Sequence, residues 1–244
     1  MIVPSSQPTL QPSPKQRPNA VPSMHMICRQ APVIPVLVIE DLAHAVPLAE
    51  ALVAGGLPVL EVALRTPVAL QAMSLMARVP GATIGAGNVM TAKHAMEALQ
   101  AGATFATSPG FAHSLIDCCK EHGFPLLPGA ATASEIMQLL DRGFDLIKFF
   151  PAAATGGVAT LKALGAPFPQ IHFCPTGGIS QSNAHEYLEL VNVACVSGSW
   201  PAPLELQKAE LWGDIRQLAH QARQLNNGHH RSAANDEHHS AKVE

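Results

Sequence analysis

The stretch DLIKFFPA, residues 145–152, decides the fold and locates the chemistry. Its four large apolar residues predict a strand that is buried on both faces, and Lys148 stands in the middle of them. Burying an ammonium group costs free energy and favours the neutral amine, which is a nucleophile. The stretch therefore indicates either a catalytic lysine or an interior lysine paired with a carboxylate.

Around this strand, short apolar runs alternate with amphipathic segments. Residues 33–39 (VIPVLVI) and 58–64 (PVLEVAL) predict strands, and residues 41–56 (DLAHAVPLAEALVAGG) predict a helix that Asp41 caps. The alternation continues for eight strand–helix units of about 20 to 25 residues each. This pattern predicts an α/β protein, a single-domain (β/α)8 TIM barrel over residues 24–224. An open doubly wound sheet is less favoured, because no GxGxxG motif follows the first strand.

The composition narrows the class of function. The chain has 244 residues, 48% of them hydrophobic, and a formal net charge of -3. This balance predicts no nucleic-acid partner, and the lack of an apolar run of about 18 residues predicts no membrane span. Five cysteines without a CxxC pair are typical of free thiols in a reducing cytoplasm. We therefore expect a cytoplasmic protein with a small-molecule substrate.

The two ends of the chain differ from the rest in composition. Residues 1–23 are rich in Pro, Ser and Gln and lack the charged and apolar regions of a signal peptide, so they predict a disordered leader. Residues 225–244 contain histidines and predict a disordered, solvated tail, with a metal-binding tail as the less favoured alternative.

Polar residues stand at the predicted ends of the strands, where TIM barrels place their active sites. Glu61 lies in the second apolar strand and could shuttle protons for Lys148 or serve as its counter-ion. Arg65 follows at the exit of that strand, where a guanidinium can bind a carboxylate through two hydrogen bonds. A solvated loop charge is the alternative for Arg65.

Glycine-rich loops follow the last two predicted strands. They read PTGGIS at 175–180 and SGSW at 197–200. In TIM barrels these two loops commonly bind a phosphate group through backbone N–H groups. Gly177 and Gly178 would let the backbone approach such an anion closely.

The strand ends offer little for metal or thiol chemistry. They carry one carboxylate and no histidine cluster, which predicts no metal site and no cofactor. Cys174 has no histidine at a strand end to activate it, so it is predicted to be a buried core thiol.

Together these motifs resemble the 2-keto-3-deoxy-6-phosphogluconate (KDPG) aldolase family, class I aldolases of the Entner–Doudoroff pathway. The resemblance covers about residues 24 to 224. The segments that carry it, in chain order, are EVALRT (61–66), GAGNV (85–89), SPG (108–110), LIKFFPA (146–152), CPTGGIS (174–180) and GSW (198–200).

The resemblance implies a mechanism and a set of site residues. Lys148 would form a Schiff base with the C2 keto group, and Glu61 would move the C4 hydroxyl proton. The products from KDPG would be pyruvate and glyceraldehyde 3-phosphate, and 4-hydroxy-2-oxoglutarate would give pyruvate and glyoxylate. The implied substrate-binding residues are Arg65, Asn88 and Pro109 for the carboxylate pocket, Thr176 for the substrate chain, and Gly177, Gly178 and Ser199 for the phosphate.

The sequence departs from the family at several positions. Asn88 stands where the family commonly has Thr, and Ala153 stands where many members have Glu. Ser197 adds a side chain that we expect near the phosphate loop. The family also implies a homotrimer, for which Trp200 and Phe168 are candidates for an apolar contact patch.

Two alternatives to KDPG cleavage remain open at this point. One is an aldolase specialised for the 6-phosphogalactonate epimer or for 4-hydroxy-2-oxoglutarate, which would use the same Lys148 and Glu61. The other is a non-catalytic barrel that binds phosphate, for which a buried lysine and glutamate would have no purpose.

Overall fold

The computed structural model describes residues 22–225, in which parallel strands alternate with helices. The predicted leader (1–23) and tail (225–244) lie outside the described residues, except for residues 22, 23 and 225. None of the helices within residues 22–225 is long and apolar enough to cross a lipid bilayer.

The strands are short, and most of their residues are buried on both faces. This burial matches their continuous apolar runs, which parallel strands covered by helices require. The described strands are β1 (Val33–Leu37), β2 (Val59–Ala63), β3 (Thr83–Gly87), β4 (Phe105–Thr107), β5 (Leu126–Leu127), β6 (Gly129–Ala130), β7 (Leu146–Phe149), β8 (His172–Pro175) and β9 (Val196–Gly198).

The helices lie between these strands and pack their apolar faces on the sheet. Thr91 and Thr132 cap two of them through their hydroxyl groups. The described helices are α1 (Met24–Cys28), α2 (Ala45–Ala54), α3 (Ala69–Met76), α4 (Ala92–Gln100), α5 (His113–Glu121), α6 (Ala133–Asp141), α7 (Gly157–Gly165), α8 (Ala184–Leu188), α9 (Leu204–Lys208) and α10 (Trp212–Arg223), with 3-10 turns at Leu42–His44 and Ala153–Thr155.

All the pairings among the nine described strands are parallel, in the orders β5-β4-β3-β2-β1-β9 and β6-β7-β8. Pro128 alone separates β5 from β6, and its carbonyl oxygen still accepts a hydrogen bond from the Lys148 N–H at 2.9 Å. Proline has no N–H to donate, which explains why one predicted strand is divided there. The structure thus confirms an α/β fold built on parallel strands.

The hydrophobic core has two parts. The larger part fills the space between the strands and their covering helices. The smaller part contains residues from the beginnings of strands, such as Val59, Phe105 and Leu146, together with Ile27 and Cys28 of α1. Helix α1 therefore covers the amino-terminal ends of the strands, and the carboxyl ends stay available for a site.

Candidate active site

Lys148 and Glu61 form an ion pair inside the protein. Lys148 lies in β7 and Glu61 in β2, and they are only 5% and 2% exposed. The Lys148 Nζ donates a hydrogen bond to Glu61 Oε1 at 2.8 Å. Gly87 on the neighbouring strand makes room for the carboxylate, because a Cβ atom there would lie 2.4 Å from Glu61 Oε1. The two charges predicted in separate apolar strands therefore meet.

Thr107 is a second partner of Lys148, and sequence reasoning missed it. The Lys148 Nζ donates to Thr107 Oγ1 at 3.1 Å, and Thr107 is fully buried at the end of β4. The available signal was a polar side chain two residues after Phe105 in an apolar strand, directly before the SPG motif.

A small cavity of about 40 Å³ opens beside this pair. Six of its lining residues were predicted as site residues from the sequence, and the structure brings them together. Val36, Ala63 and Phe150 complete the wall and were not predicted. The full lining is Val36, Glu61, Ala63, Arg65, Asn88, Pro109, Lys148, Phe150 and Thr176.

The cavity is electrostatically asymmetric. Arg65 lies on the exposed side after β2 and supplies a positive charge, while the Lys148 charge is matched by Glu61. Asn88 adds an amide at the end of β3 and has a left-handed backbone, with φ of 59°. A carboxylate in this cavity would meet a guanidinium and an amide, which are both hydrogen-bond donors.

Gly177, Gly178 and Ser199 do not line this cavity, but the two glycines directly follow Thr176, which does, and Ser199 directly follows β9. Thr176 pairs with Ser197 in a parallel bridge, which joins the β8 and β9 ends. Gly178 has φ of 75°, and a Cβ atom there would lie 2.5 Å from the Ala153 Cβ. Only glycine fits that close approach, and the loop keeps its exposed backbone.

Two sequence-based expectations about the surroundings of these loops need correction. The Ser197 side chain is buried and donates a hydrogen bond to the Ile34 carbonyl at 3.0 Å, so it is part of the strand interior rather than the loop. Phe168 is 7% exposed and belongs to the core, so it cannot contribute to an exposed contact patch. Trp200 is half-buried and packs its ring against Gly198.

Cys174 and Cys195 behave as core thiols. Cys195 donates to Cys174 at 3.6 Å between sulfur atoms, and both are fully buried. Hydrogen bonding with Cys174 and Cys28, together with burial, raises the pKa of the Cys195 thiol well above its ordinary value. Thiol nucleophiles need the thiolate, so this environment opposes reactivity. Within residues 22–225, no three His, Cys, Asp or Glu side chains are grouped as metal ligands.

Residues 24–218 match the family model described as KDPG and KHG aldolase. The chain belongs to this aldolase family. A 2-dehydro-3-deoxy-phosphogluconate aldolase of Pseudoalteromonas atlantica is 54% identical over 194 residues, which cover 79% of this chain and 90% of the relative.

Solved structures in the aldolase family have the same fold. The KDPG aldolase of Zymomonas mobilis ZM4, solved with 3-phosphoglycerate, superimposes with a TM-score of 0.81 at 47% identity, covering 85% of this chain and 98% of the other. The KDPG aldolase of Legionella pneumophila, solved with pyruvate captured at low pH as a covalent carbinolamine intermediate, superimposes with a TM-score of 0.80 at 48% identity, covering 82% and 97%.

Proposed function

We propose that the protein is a class I aldolase that cleaves KDPG to pyruvate and glyceraldehyde 3-phosphate through a Schiff base on Lys148. The observation that carries this proposal is the buried Lys148–Glu61 pair at 2.8 Å, which opens on a cavity that Arg65 also lines. Membership of the aldolase family supports it, as does the covalent pyruvate carbinolamine in the Legionella relative.

The chemistry begins with imine formation. The Lys148 Nζ loses a proton to Glu61 and attacks the C2 carbonyl carbon, which gives a carbinolamine. The carbinolamine hydroxyl takes this proton back from Glu61 and leaves as water, so that a protonated imine and the Glu61 carboxylate remain. Since the iminium nitrogen withdraws electrons from C3, it does the work that a Lewis acid would otherwise do.

Bond cleavage follows from the same two residues. The Glu61 carboxylate removes the C4 hydroxyl proton, the C3–C4 bond breaks, and its electron pair moves into the imine to form an enamine. Glyceraldehyde 3-phosphate leaves with the new aldehyde at its C1. Protonation of the enamine at C3 and hydrolysis of the imine then release pyruvate and free Lys148.

Substrate binding divides between the cavity and the loops. The Arg65 guanidinium, with the Asn88 amide and Pro109 beside it, holds the C1 carboxylate, and Thr176 contacts the chain near C4. Gly177, Gly178 and Ser199 hold the phosphate at the ends of β8 and β9. Two observations support this division: Arg65, Asn88, Pro109 and Thr176 line the cavity, and Gly177 and Gly178 have positive φ angles.

The strands form a closed (β/α)8 barrel in this proposal. Counting β5 and β6 as one strand gives eight positions. The isolated bridges Phe173–Val193 and Thr176–Ser197 connect β8 and the residue after it to β9 and the segment before it. Glu61, Thr107 and Lys148 then come from the second, fourth and sixth strands. Alternate strands contribute each layer of side chains inside such barrels, which fits this set.

The wider setting follows the family. The protein also cleaves 4-hydroxy-2-oxoglutarate, which shares the keto acid and C4 hydroxyl but has no phosphate. It works as a cytoplasmic homotrimer without a metal or cofactor. An aldolase specialised for the phosphogalactonate epimer would use the same Lys148–Glu61 pair. Cleavage rates measured with both epimers decide between the two specificities.

Borohydride trapping with pyruvate tests the central step. Borohydride reduces an imine to a stable amine, so peptide mass spectrometry should find one pyruvyl adduct, on Lys148. Lys162→Met is the matched control, because Lys162 is exposed on α7 and its loss should leave the adduct in place. A folded protein that gives no adduct, or an adduct elsewhere, would reject the mechanism and favour a non-catalytic phosphate-binding barrel.

A further inference from the structure

The amine of Lys148 has two hydrogen-bond acceptors of different kinds. Glu61 Oε1 accepts at 2.8 Å and carries the charge, whereas Thr107 Oγ1 accepts at 3.1 Å and is neutral. The carboxylate can take a proton from the nitrogen during the reaction. A hydroxyl oxygen cannot act as a base at neutral pH, so it remains an acceptor for whatever N–H is left.

Thr107 is held firmly in this position. It is fully buried on β4, and its carbonyl oxygen accepts from the Val89 N–H at 3.0 Å. Phe105, two residues earlier, faces the same interior and packs its ring on Gly85, where a Cβ atom would lie 2.1 Å away. The strand therefore turns the Thr107 side chain toward the interior, where its hydroxyl oxygen meets the Lys148 Nζ at 3.1 Å.

The two acceptors cannot share the nitrogen throughout the reaction. The amine has several N–H groups, but the imine that replaces it has one. In the proposed mechanism Glu61 turns from the nitrogen to the C4 hydroxyl, and the single iminium N–H then needs another acceptor in a buried site. A buried N–H without an acceptor would be costly.

We infer that Thr107 is a positioning residue of the Schiff base: its hydroxyl oxygen accepts the iminium N–H while Glu61 handles the substrate proton. This role rests on the proposed function. Thr107 thereby keeps the nitrogen, and with it C2 and C3, in a fixed orientation during bond cleavage. Its contribution belongs to the covalent intermediate, so it should affect kcat more than KM.

Thr107→Val and Thr107→Ser separate the hydroxyl from the shape of the side chain. Val keeps the volume and the strand preference but has no oxygen, whereas Ser keeps the oxygen. Thr104→Val is the matched control, because the Thr104 hydroxyl donates to the Ile84 carbonyl at 3.1 Å and Thr104 is exposed directly before β4. Thermal melts establish that each variant is folded.

We expect Thr107→Val to lower kcat for KDPG cleavage by about 10- to 100-fold, the size of one lost hydrogen bond to a charged group, with KM changed less than about threefold. Borohydride trapping of pyruvate should slow by a similar factor. Thr107→Ser should recover most of kcat, and Thr104→Val should match the unaltered protein.

Two results would overturn the inference. Wild-type kcat in Thr107→Val would show that the hydroxyl is not needed, and an equal loss of kcat in Thr107→Ser would show that shape matters instead of the oxygen. Failure of the proposed function is distinguishable, because the unaltered protein would then give no adduct on Lys148. An adduct on Lys148 in the unaltered protein, with unaffected variants, would reject only the role of Thr107.

Discussion

Replacing Lys148 with Met removes one half of a buried ion pair and leaves the other half in place. Met fills a volume similar to that of Lys, so the packing of β7 is retained. At an effective dielectric constant of about 20, unit charges 2.8 Å apart attract by about 6 kcal/mol, and desolvation offsets part of this. Breaking such a pair costs about 3–5 kcal/mol, because the remaining charge stays buried.

The expected result is a folded, inactive and destabilised variant. For a chain of this size, a loss of about 3–5 kcal/mol lowers Tm by roughly 6–20 °C. Urea and thermal unfolding of four proteins measure the effect: the unaltered protein, Lys148→Met, Glu61→Gln and the double variant. The double variant removes both charges, so it should recover about half or more of the stability that Lys148→Met loses. That recovery is an interaction energy between the two sites, and its size is typical of residues in contact.

Two outcomes would refute this reasoning. A Lys148→Met variant with an unchanged Tm would mean that solvent in the cavity screens the pair, so that the burial does not make the charges costly to separate. A double variant no more stable than Lys148→Met would mean that the loss comes from packing rather than from the unpaired carboxylate of Glu61.

Three further predictions concern the glycine loop after β8, two adjacent cysteines on α5, and the α6 capping box. Gly178→Ala should raise KM for KDPG about tenfold, because a side chain at this positive φ clashes with Ala153 and displaces the phosphate loop. The kinetics with 4-hydroxy-2-oxoglutarate, which has no phosphate, should stay unchanged. An equal effect on both substrates would contradict this prediction. Burial and the neighbouring Cys118 raise the pKa of Cys119 to about 12, so iodoacetamide at pH 8 should label Cys118 first, as peptide mass spectrometry can establish. Hydrogen bonds, foremost from the Ala131 N–H, lower the pKa of Glu135, so its stabilisation of the α6 capping box is present at neutral pH and lost as pH falls below the ordinary value of 4.5. The Tm difference between the unaltered protein and Glu135→Gln should therefore shrink in acid, and a difference that grows would refute the assignment.

Much of the fold could be predicted because the signals are local. A continuous apolar run followed by an amphipathic segment is readable within about 25 residues, and the alternation of such units implies parallel strands. The division of one strand at Pro128 is also a local effect, since the missing N–H interrupts the ladder. The sequence did not show that β5 and β6 count as separate strands. This became visible only from their pairing partners, which are β4 for β5 and β7 for β6.

The candidate site could be predicted in part for a related reason. Lys148 and Glu61 are conspicuous in the sequence, because Lys and Glu are almost never fully buried unless they are paired. Arg65 is conspicuous because it directly follows an apolar strand. The direction of smaller polar side chains has no such signal. The Ser197 side chain was expected near the phosphate loop, but it donates to the Ile34 carbonyl inside the strand. The burial of a single apolar side chain has no clear signal either: Phe168 was a candidate for a contact patch, but it packs in the core.

The sequence by itself determined which residues carry charge and that they sit in apolar strands. Only the tertiary structure decided that Lys148 meets Glu61, 87 residues away, and Thr107, 41 residues away, at hydrogen-bond distance. The physical reason is that strand identity follows from local hydrophobicity, whereas the contacts between strands follow from register and twist. Register and twist are set when the whole sheet assembles around its core.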